Sequence, residues 1–353
     1  MKRIGCLVSL VALVIIIESF YTPSPVLSEP YFKGKKITIV IASGPGGRKD
    51  RITRTVARYL GKYIPGKPQF IVRNIPEPAG ITAAHEFLRG RRDGTISWGV
   101  GSREIEAPAF GLPQANYDFR TFVWIGGLST GKQRNTLVTH TQAGFKNLED
   151  LKSSEVILGA PRVGHRNYYY GRLAAEVLDL KVRWVIGYSV TELWLAMQRG
   201  EVDGRFQDAG SIMVEVPHLV KKRLMVPHVT MTLPERLPPW DDPFFAKVPS
   251  LMEFAKTDLH KSIIRKINAT DEIGVSIAFP PGTPPKLAKI VEKAFLRADQ
   301  DPRFQKDVED FIGIRPYAGV LKAATVSKAI GVYSTWKPKV LAAYKRLATQ
   351  PPK

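Results

Sequence analysis

The sequence predicts an α/β protein of two lobes, each a largely parallel sheet flanked by helices. Strand-like and helix-like segments alternate between residues 37 and 100, and a second cycle runs from residue 156 to 206. The tail beyond residue 250 is mainly helical. Such alternation is typical of open sheets, whose ligands lie beyond the carboxyl ends of the strands. The loops that follow strands are therefore the first places to look for a site.

The chain begins with the three parts of an export signal. Lys2 and Arg3 form a basic start, residues 4–17 are apolar, and small or apolar residues lead to Ser28. An apolar run of 14 residues is shorter than the roughly 20 that cross a bilayer. We therefore expect a signal peptide at residues 1–28, cleaved after Ser28, and a periplasmic protein.

Composition narrows the function classes. The only cysteine, Cys6, lies in the leader, so the mature chain has no thiol for a disulfide, a metal site or a nucleophile. The six histidines lack the spacing of a helical metal pair, and no metal or cofactor is predicted. The net charge of +20 suits an acidic ligand or an anionic surface. Because Lys and Arg are spread along the chain, nucleic-acid binding is not favoured.

The first half opens with the best candidate for a ligand site. Residues 37–41 predict a strand, and a glycine-rich turn at residues 43–47 leads into a helix near Asp50. Such a turn points backbone N–H groups at one spot, and the helix dipole adds about half a positive charge there, which suits an anion. Two further strands are predicted, at residues 70–72 and 97–100.

The second half repeats this plan without repeating the residues. The predicted strands lie at residues 156–158, 183–186 and 202–206. A proline-rich segment, residues 234–249, is expected to cross back to the first lobe. Tail helices are predicted near residues 250–255, 285–298, 301–311 and 323–346. The expected lobes are residues 29–130 with 232–353, and residues 131–231.

Single motifs in the sequence suggest more specific functions, nucleotide binding and hydrolysis, but the residues around them favour neither. No Gly-Lys-Ser/Thr follows the glycine turn, and Lys49 stands where a dinucleotide fingerprint has its third glycine, so nucleotide binding is not favoured. Asp50 either caps the helix or contacts the ligand. Residues 127–131 match the G-x-S-x-G hydrolase pattern, but no helix is predicted directly after the serine, so no catalytic residue is expected.

Basic residues fall in the loops that the fold brings to a cleft. They are Arg48, Lys49, Arg103, Arg162, His165, Arg166 and Arg205. Arginine binds a carboxylate at two points, but unpaired buried cations are costly, so about half of the set should face solvent. The preferred inward set is Arg48, Arg162 and Arg205, while His165 is as readily a solvated loop residue as a contact.

Aromatic residues offer a possible apolar wall for the cleft. Tyr188, Trp98 and Phe206 are predicted to lie at strand ends and to form it. Of the three tyrosines at residues 168–170, two are expected in the core.

An ordered run of motifs carries a family resemblance. The motifs are Pro45-Gly46-Gly47 with Asp50 and Arg54, Asn74-Ile75-Pro76 with Gly80, Asp93-Gly94-Thr95, Tyr117-Asp118, Gly187-Tyr188, residues 200–204, residues 278–284 and Asp301-Pro302. With them the chain, over residues 30–332, resembles the solute-binding receptors of tripartite tricarboxylate transporters, the Bug-type periplasmic receptors. It departs from that family in the basic character of Arg48, Lys49 and residues 161–166.

The resemblance implies a type II periplasmic binding fold that closes on its ligand without catalysis. The ligand would be a small organic acid, either a di- or tricarboxylate or an aromatic acid, delivered by a monomer to a membrane permease. Two alternatives stay open: a sensor accessory that presents the ligand to a membrane sensor kinase, and an enzyme on the same scaffold. The predicted ligand-binding residues are Ser43, Gly44, Pro45, Gly46, Gly47, Arg48, Asp50, Ala79, Gly80, Ser102, Arg103, Arg162, Gly164, His165, Tyr188, Asp203, Arg205 and Asp208.

Overall fold

The computed structural model describes residues 29–76, 80–112, 114–129, 135–236, 243–312 and 317–351. The predicted leader at residues 1–28, the predicted contact Ala79 and the end of the G-x-S-x-G pattern, Thr130-Gly131, lie outside the described residues.

Strands and helices alternate through most of the described chain. The strands are β1 (Lys36–Ile41), β2 (Gln69–Asn74), β3 (Ile96–Val100), β4 (Val123–Leu128), β5 (Asn135–His140), β6 (Glu155–Ala160), β7 (Lys181–Ile186), β8 (Gly204–Asp208), β9 (Met225–Thr230), β10 (Val275–Phe279) and β11 (Val320–Lys322). The helices are α1 (Arg48–Tyr63), α2 (Ile81–Leu88), α3 (Ser102–Phe110), α4 (Leu148–Ser153), α5 (Arg166–Leu178), α6 (Glu192–Arg199), α7 (Ala209–Glu215), α8 (Pro217–Lys221), α9 (Leu251–Phe254), α10 (Asp258–Glu272), α11 (Pro285–Asp299), α12 (Pro302–Asp307), α13 (Ala323–Ser334) and α14 (Pro338–Thr349).

The strands form two sheets, and each sheet with its helices is called a lobe below. The first sheet has the order β11-β4-β10-β3-β1-β2, and the second has the order β7-β6-β8-β5-β9. In the first sheet β1 to β4 run in one direction, while β10 and β11 run against them. In the second sheet only β5 runs against the other described strands. The prediction of two lobes, each a sheet flanked by helices, is therefore confirmed. The sheets are mixed, since five of the nine described strand pairs are antiparallel and four are parallel. The residue boundaries of the lobes stay a prediction.

Helix α1 shows why the sequence folds as it does. Its apolar residues recur at helical spacing, so that Ile52, Val56 and Leu60 form one buried stripe against the first sheet. Burying each such side chain stabilises the fold by about 1.5–3 kcal/mol. The helix ends near Tyr63, and Pro65 and Gly66 turn the chain into β2.

The tail differs from its prediction in two places. The 15-residue helix α10 and the strand β10 were not anticipated as separate elements. The single helix predicted over residues 323–346 is wrong: α13 and α14 are two helices, with Pro338 at the first turn of the second. Proline inside a helix removes a hydrogen bond and clashes with the preceding turn, so the chain breaks and restarts there.

The aromatic wall predicted from strand ends is also wrong for two of its members. Trp98 and Phe206 lie within β3 and β8, and both are fully buried among core side chains. Trp98 packs against Phe87 and Phe119, which fills the core beneath the first sheet. All three tyrosines at residues 168–170 are buried, one more than predicted.

Helix α14 joins the lobes because it packs on both α3 and α5. Arg346 near its end forms a two-point ion pair with Glu176 of α5, at 2.7 and 2.9 Å. The Tyr168 hydroxyl donates to the Gln350 carbonyl at 2.8 Å. None of the described helices combines the length and the apolar character that crossing a membrane requires.

Two glycines with positive φ give a matched test of this packing. A Cβ at Gly274 would lie 2.2 Å from the Leu128 carbonyl oxygen, while a Cβ at Gly34 would meet nothing within 4 Å. The Gly34→Ala variant should lose about 1–2 kcal/mol of unfolding free energy from backbone strain alone. Gly274→Ala should lose roughly 1–3 kcal/mol more, because β4 and β10 must move apart. Urea unfolding of both variants measures the difference; equal losses would contradict the close approach of the two strands.

Candidate ligand-binding site

A cavity of about 240 Å³ lies between the two lobes. Its wall is formed by Arg48, Lys49, Ile52, Gly101, Ser102, Arg103, Glu104, His165, Arg166, Asn167, Gly274 and Val275. Because a water molecule occupies roughly 30 Å³ in the liquid, this space suits a small metabolite. A wider, more open groove of about 370 Å³ lies between α1 and β2 on the first lobe. We take the smaller cavity as the site, because only it has walls from both lobes.

Three helices begin at the wall of this cavity. The first residues of α1, α3 and α5 all line it. The amino end of a helix carries about half a positive charge and leaves backbone N–H groups without partners inside the helix. Three such ends around one space favour a negatively charged occupant.

The start of α1 is held in place by the carboxylate of Asp50. This buried group accepts hydrogen bonds from the Gly46 amide at 2.8 Å and from Asn74 Nδ2 at 2.9 Å. Arg54 Nε lies 2.9 Å from it and Arg54 Nη2 donates to Asn74 Oδ1 at 2.8 Å. Asn74 also donates to the Ser43 carbonyl at 3.0 Å. Asp50 therefore fixes the turn between β1 and α1.

The hydrogen bonds around Asp50 determine which backbone amides of this turn are left to bind a ligand. The Gly46 amide is used by Asp50, and the Gly47 amide faces the Gly44 carbonyl at 3.4 Å. Within the described chain, the amides of Arg48, Lys49 and Asp50 have no backbone acceptor. Although burial alone would raise the pKa of Asp50, the bonds from Arg54, Asn74 and Gly46 hold it below its ordinary value. Asp50 is therefore ionised at neutral pH and shapes the site from outside it.

Ion pairs neutralise some of the cations at the cavity. Lys49 pairs with Glu104 within the first lobe. Arg48 Nη1 reaches across to Asp208 Oδ1 of the second lobe at 3.9 Å.

A second ion pair also joins the lobes. Arg166 Nη2 of α5 lies 2.8 Å from Asp271 Oδ1 of α10. It is also 3.9 Å from Glu106, whose pKa is raised by burial although the charge of Arg166 opposes this.

Two arginines at this place have no acidic partner among the described residues. Arg103 is exposed and lines the cavity, while Arg162 is exposed in the loop before α5. The positive charges of Arg103 and Arg162 help to lower the pKa of His165. Together with the amino ends of α1, α3 and α5, Arg103 and Arg162 give the cavity an excess of positive charge.

His165 is a neutral hydrogen-bond donor in this setting. Burial lowers its pKa to about 3, and the charges of Arg103, Arg162 and two further arginines act in the same direction. Its Nδ1 accepts from the Asn167 amide at 3.2 Å and so caps α5. The proton of the neutral ring therefore lies on Nε2, which can donate to an oxygen in the cavity.

The structure brings part of the predicted set together. Arg48, Ser102, Arg103 and His165 line the cavity. The following predicted residues adjoin it: Ser43, Gly44, Pro45, Gly46 and Gly47 in the turn before α1, Gly80 and Asp50 against lining residues, Arg162 and Gly164 in the loop before His165, and Asp208 as the partner of Arg48. Gly80 is needed for close approach, since a Cβ there would lie 2.4 Å from Glu104 Cγ.

Three predicted residues lie elsewhere. Asp203 precedes β8 and accepts from the Ile157 amide at 2.7 Å, about 16 Å along the strand from Asp208. Tyr188 donates to Glu201 and is absent from the cavity wall.

Arg205, one of the preferred inward residues, is fully buried in the second lobe. It lies over the Trp194 ring at 4.5 Å and donates to the Val190 carbonyl at 2.6 Å. Burial lowers its pKa to about 10, with the charge of Glu215 opposing.

Sequence reasoning missed several wall residues. Gly274 and Val275 come from the start of β10, a strand that had not been anticipated. Glu104 and Asn167 lie one and two residues beyond predicted contacts, in the first turns of α3 and α5. The signal that could have found them is the helix start itself, where a Gly-Ser or His-Arg pair precedes a helical pattern.

The cavity wall is rich in groups that bind anions. It holds cations, one paired carboxylate, a neutral imidazole and backbone donors. The described residues contain no group of three or more His, Cys, Asp or Glu side chains arranged to hold a metal ion. Arginine forks and helix-start amides both bind carboxylate oxygens well.

Solved structures share the fold of this chain. A TctC solute-binding protein from Polaromonas, without ligand, has a TM-score of 0.63 and 15% identity over 89% of this chain and 98% of that one. Rpa4515 from R. palustris with adipate has a TM-score of 0.62 and 14% identity over 90% and 99%. MatC from Rhodopseudomonas palustris with bound malate has 0.55 and 16% over 90% and 100%. The chain has the two-lobed fold of these binding proteins.

These likenesses confirm the fold class that the sequence predicted. Comparison with protein-family models gives no match, and neither does comparison with curated proteins. At such low identity the shared property is the fold, and the ligand has to be inferred from the residues of this chain.

The depressed pKa of His165 gives a test of its environment. Between pH 6.5 and pH 5 an unfolded chain binds a proton at this residue, whereas the folded chain does not, so stability falls as the pH falls. The loss attributable to His165 should reach about 2 kcal/mol over this range. His165→Asn keeps an acceptor for the Asn167 amide and removes the titration. Urea unfolding at several pH values should show a shallower slope for the variant; identical slopes would mean that His165 is protonated freely.

Proposed function

We propose that this chain is an exported solute-binding receptor that captures a small organic anion between its two lobes. We further propose that it belongs with the solute-binding receptors of tripartite tricarboxylate transporters. The ordered motifs of the sequence and the fold shared with TctC and MatC support this assignment. The receptor binds its ligand and releases it unchanged.

One observation carries the proposal: a cavity with walls from both lobes is ringed by helix amino ends and cations. Its volume of about 240 Å³ is below the roughly 300–1,000 Å³ of sites for drug-sized ligands. A dicarboxylate or another acid of similar size fits such a space. Rpa4515 and MatC were solved with the dicarboxylates adipate and malate, which supports the same ligand class here.

The two ends of the ligand would meet different lobes. One carboxylate would accept from the first-turn amides of α1 and from Arg48, whose Nε is buried without a hydrogen-bond partner in the described chain. The other end would meet the Nε2–H of His165 in the second lobe, with Arg103 of the first lobe beside it. Because these groups come from both lobes, the ligand favours the state in which the lobes are together.

Delivery of the ligand to a membrane permease is the proposed role of the closed receptor. Closure changes the relative position of the two lobes, and a permease can recognise that shape. Export into the periplasm would place the receptor on the correct side of the membrane for this task.

Two arginines on α1 provide a matched test of ligand contact. Arg48 lines the cavity, whereas Arg51 is exposed on the same helix and is absent from the cavity wall. A charge-assisted hydrogen bond contributes about 1.5–3 kcal/mol, so Arg48→Ala should weaken binding of the preferred acid by roughly 10- to 150-fold. Arg51→Ala removes the same charge and should change the affinity by less than about threefold. Calorimetric titration with malate, adipate, citrate and benzoate measures both.

The outcomes separate the possible functions. Failure of every acid to bind the wild-type chain would sink the proposed ligand class. Equal losses in the two variants would show that the ligand responds to general charge and does not contact Arg48. Steady conversion of any of these acids to a product would identify an enzyme instead.

A further inference from the structure

A large cluster of basic residues lies at the end of the first lobe opposite the cavity. Strands β1, β2 and β3 run parallel, and the cavity lies at their carboxyl ends. The segments that precede these three strands therefore meet at the other edge of the sheet. Strand β10 runs in the opposite direction, so the segment that follows it reaches that edge as well.

Contacts between these segments show that they form one surface. Gly66 packs on the segment before β1, since a Cβ there would lie 2.4 Å from the Lys33 amide nitrogen. The Tyr31 hydroxyl donates to the Asp93 carbonyl at 2.9 Å. A Cβ at Gly282 would lie 3.1 Å from Arg92 Cδ. The segments before β1, β2 and β3 and after β10 are thus neighbours.

We call this surface the basic face. Its cations are Lys33, Lys35, Lys36, Lys67, Arg89, Arg91, Arg92, Lys286 and Lys289. Lys35 is half-buried and the other eight are exposed. The same segments hold two acidic residues, Glu29 and Asp93, which leaves a net charge of +7 from nine cations.

The two acidic residues offset only part of the charge of the basic face, Glu29 through Lys33 and Asp93 through Arg91 and Lys35. Glu29 pairs with Lys33 at 2.6 Å. The Asp93 carboxylate accepts from the amide and hydroxyl of Thr95, at 3.0 and 2.5 Å, and so closes its own turn. Among the described residues, no ion pair joins any other cation of the face to an acid.

Exposed cations elsewhere in the described chain include some with an acidic partner, such as Arg58 with Asp307 at 3.0 Å and Lys306 with Asp310 at 2.7 Å. Others, such as Lys221 and Lys222, have no ion pair with another described residue, and the basic face differs from them in gathering nine cations on one surface. Unpaired like charges on one surface repel one another, and that repulsion is relieved when an anionic surface binds.

We propose that the basic face docks the protein on an anionic lipid bilayer. The face contains the segment before β1, so the 28 residues outside the described chain enter the fold at this point. Residues 4–17 of that stretch are apolar. In the precursor this segment brings the chain to a membrane, and after cleavage the basic cluster alone can hold the mature protein there reversibly. The positive charge of the face is complementary to anionic lipid headgroups, which are therefore the proposed occupant.

Docking through the basic face leaves the cavity accessible. Because the cavity lies at the opposite ends of the strands, a docked molecule keeps its cavity open to the solution. Docking therefore concentrates the protein at the membrane without closing its site. Docking through the basic face does not require the organic acid, since a chain that binds no acid would still carry the face.

Two runs of three cations provide a matched test. Arg89, Arg91 and Arg92 belong to the basic face, whereas Lys221, Lys222 and Arg223 are equally exposed on the second lobe. Replacing either run with Glu changes the net charge by the same amount. The full chain and both variants are sedimented with vesicles of about one-third phosphatidylglycerol in phosphatidylcholine, and with phosphatidylcholine alone.

The full chain should bind the anionic vesicles, and about 1 M salt should release it, because the Debye length falls from about 10 Å at 0.1 M to about 3 Å. Reversal of the arginines should weaken binding at least about tenfold, while reversal on the second lobe should weaken it less than about twofold. Circular dichroism checks folding, and a triple Gln variant replaces the Glu variant if that one does not fold.

Three results would overturn the proposal. Equal binding to neutral and anionic vesicles would assign the interaction to apolar insertion. Equal losses in the two reversed variants would assign it to net charge. Tight binding to a single-stranded oligonucleotide with no binding to anionic vesicles would identify a nucleic-acid surface.

Discussion

The buried carboxylate of Asp50 is the constraint on which the site depends. It ties together the turn after β1, the first turns of α1 and the end of β2, through Gly46, Arg54 and Asn74. With the turn fixed in this way, the helix start cannot rotate, and its unpartnered amides stay beside the cavity. A rigid helix start binds an anion more tightly than a flexible one, because less conformational entropy is lost when the ligand binds.

The same cluster explains why the sequence was informative about the fold. Asp50, Arg54 and Asn74 belong to two separate motifs of the family resemblance, and in the structure they form one hydrogen-bonded unit. Asp93 and Asp301 likewise bond to backbone amides of their own turns. These motif residues hold turns and helix starts, which any protein of this topology needs whatever ligand it binds. Periodicity and turn chemistry are local properties, so the alternation of strands and helices could be predicted from sequence.

The site was less predictable because it depends on long-range packing. Arg48, Arg103 and His165 could be placed near a cleft from their loops, but their pairing and exposure depend on side chains far along the chain. Arg205 looks like a ligand arginine in the sequence. The structure buries it over Trp194, because β8 is the central strand of its sheet and is covered on both faces. The glycine turn was credited with a donor that Asp50 already uses, the Gly46 amide, since no sequence pattern shows which amide a carboxylate will accept from.

The proposed function depends on a small organic anion that bridges the two lobes at the start of α1. Titration of the ¹⁵N-labelled protein with the acid that binds most tightly tests it directly. The amide signals of Arg48 and Lys49 in the first lobe and of Arg166 and Asn167 in the second should shift together and saturate at one ligand per chain. Shifts confined to one lobe, or to residues away from the cavity with these four signals unmoved, would contradict the account.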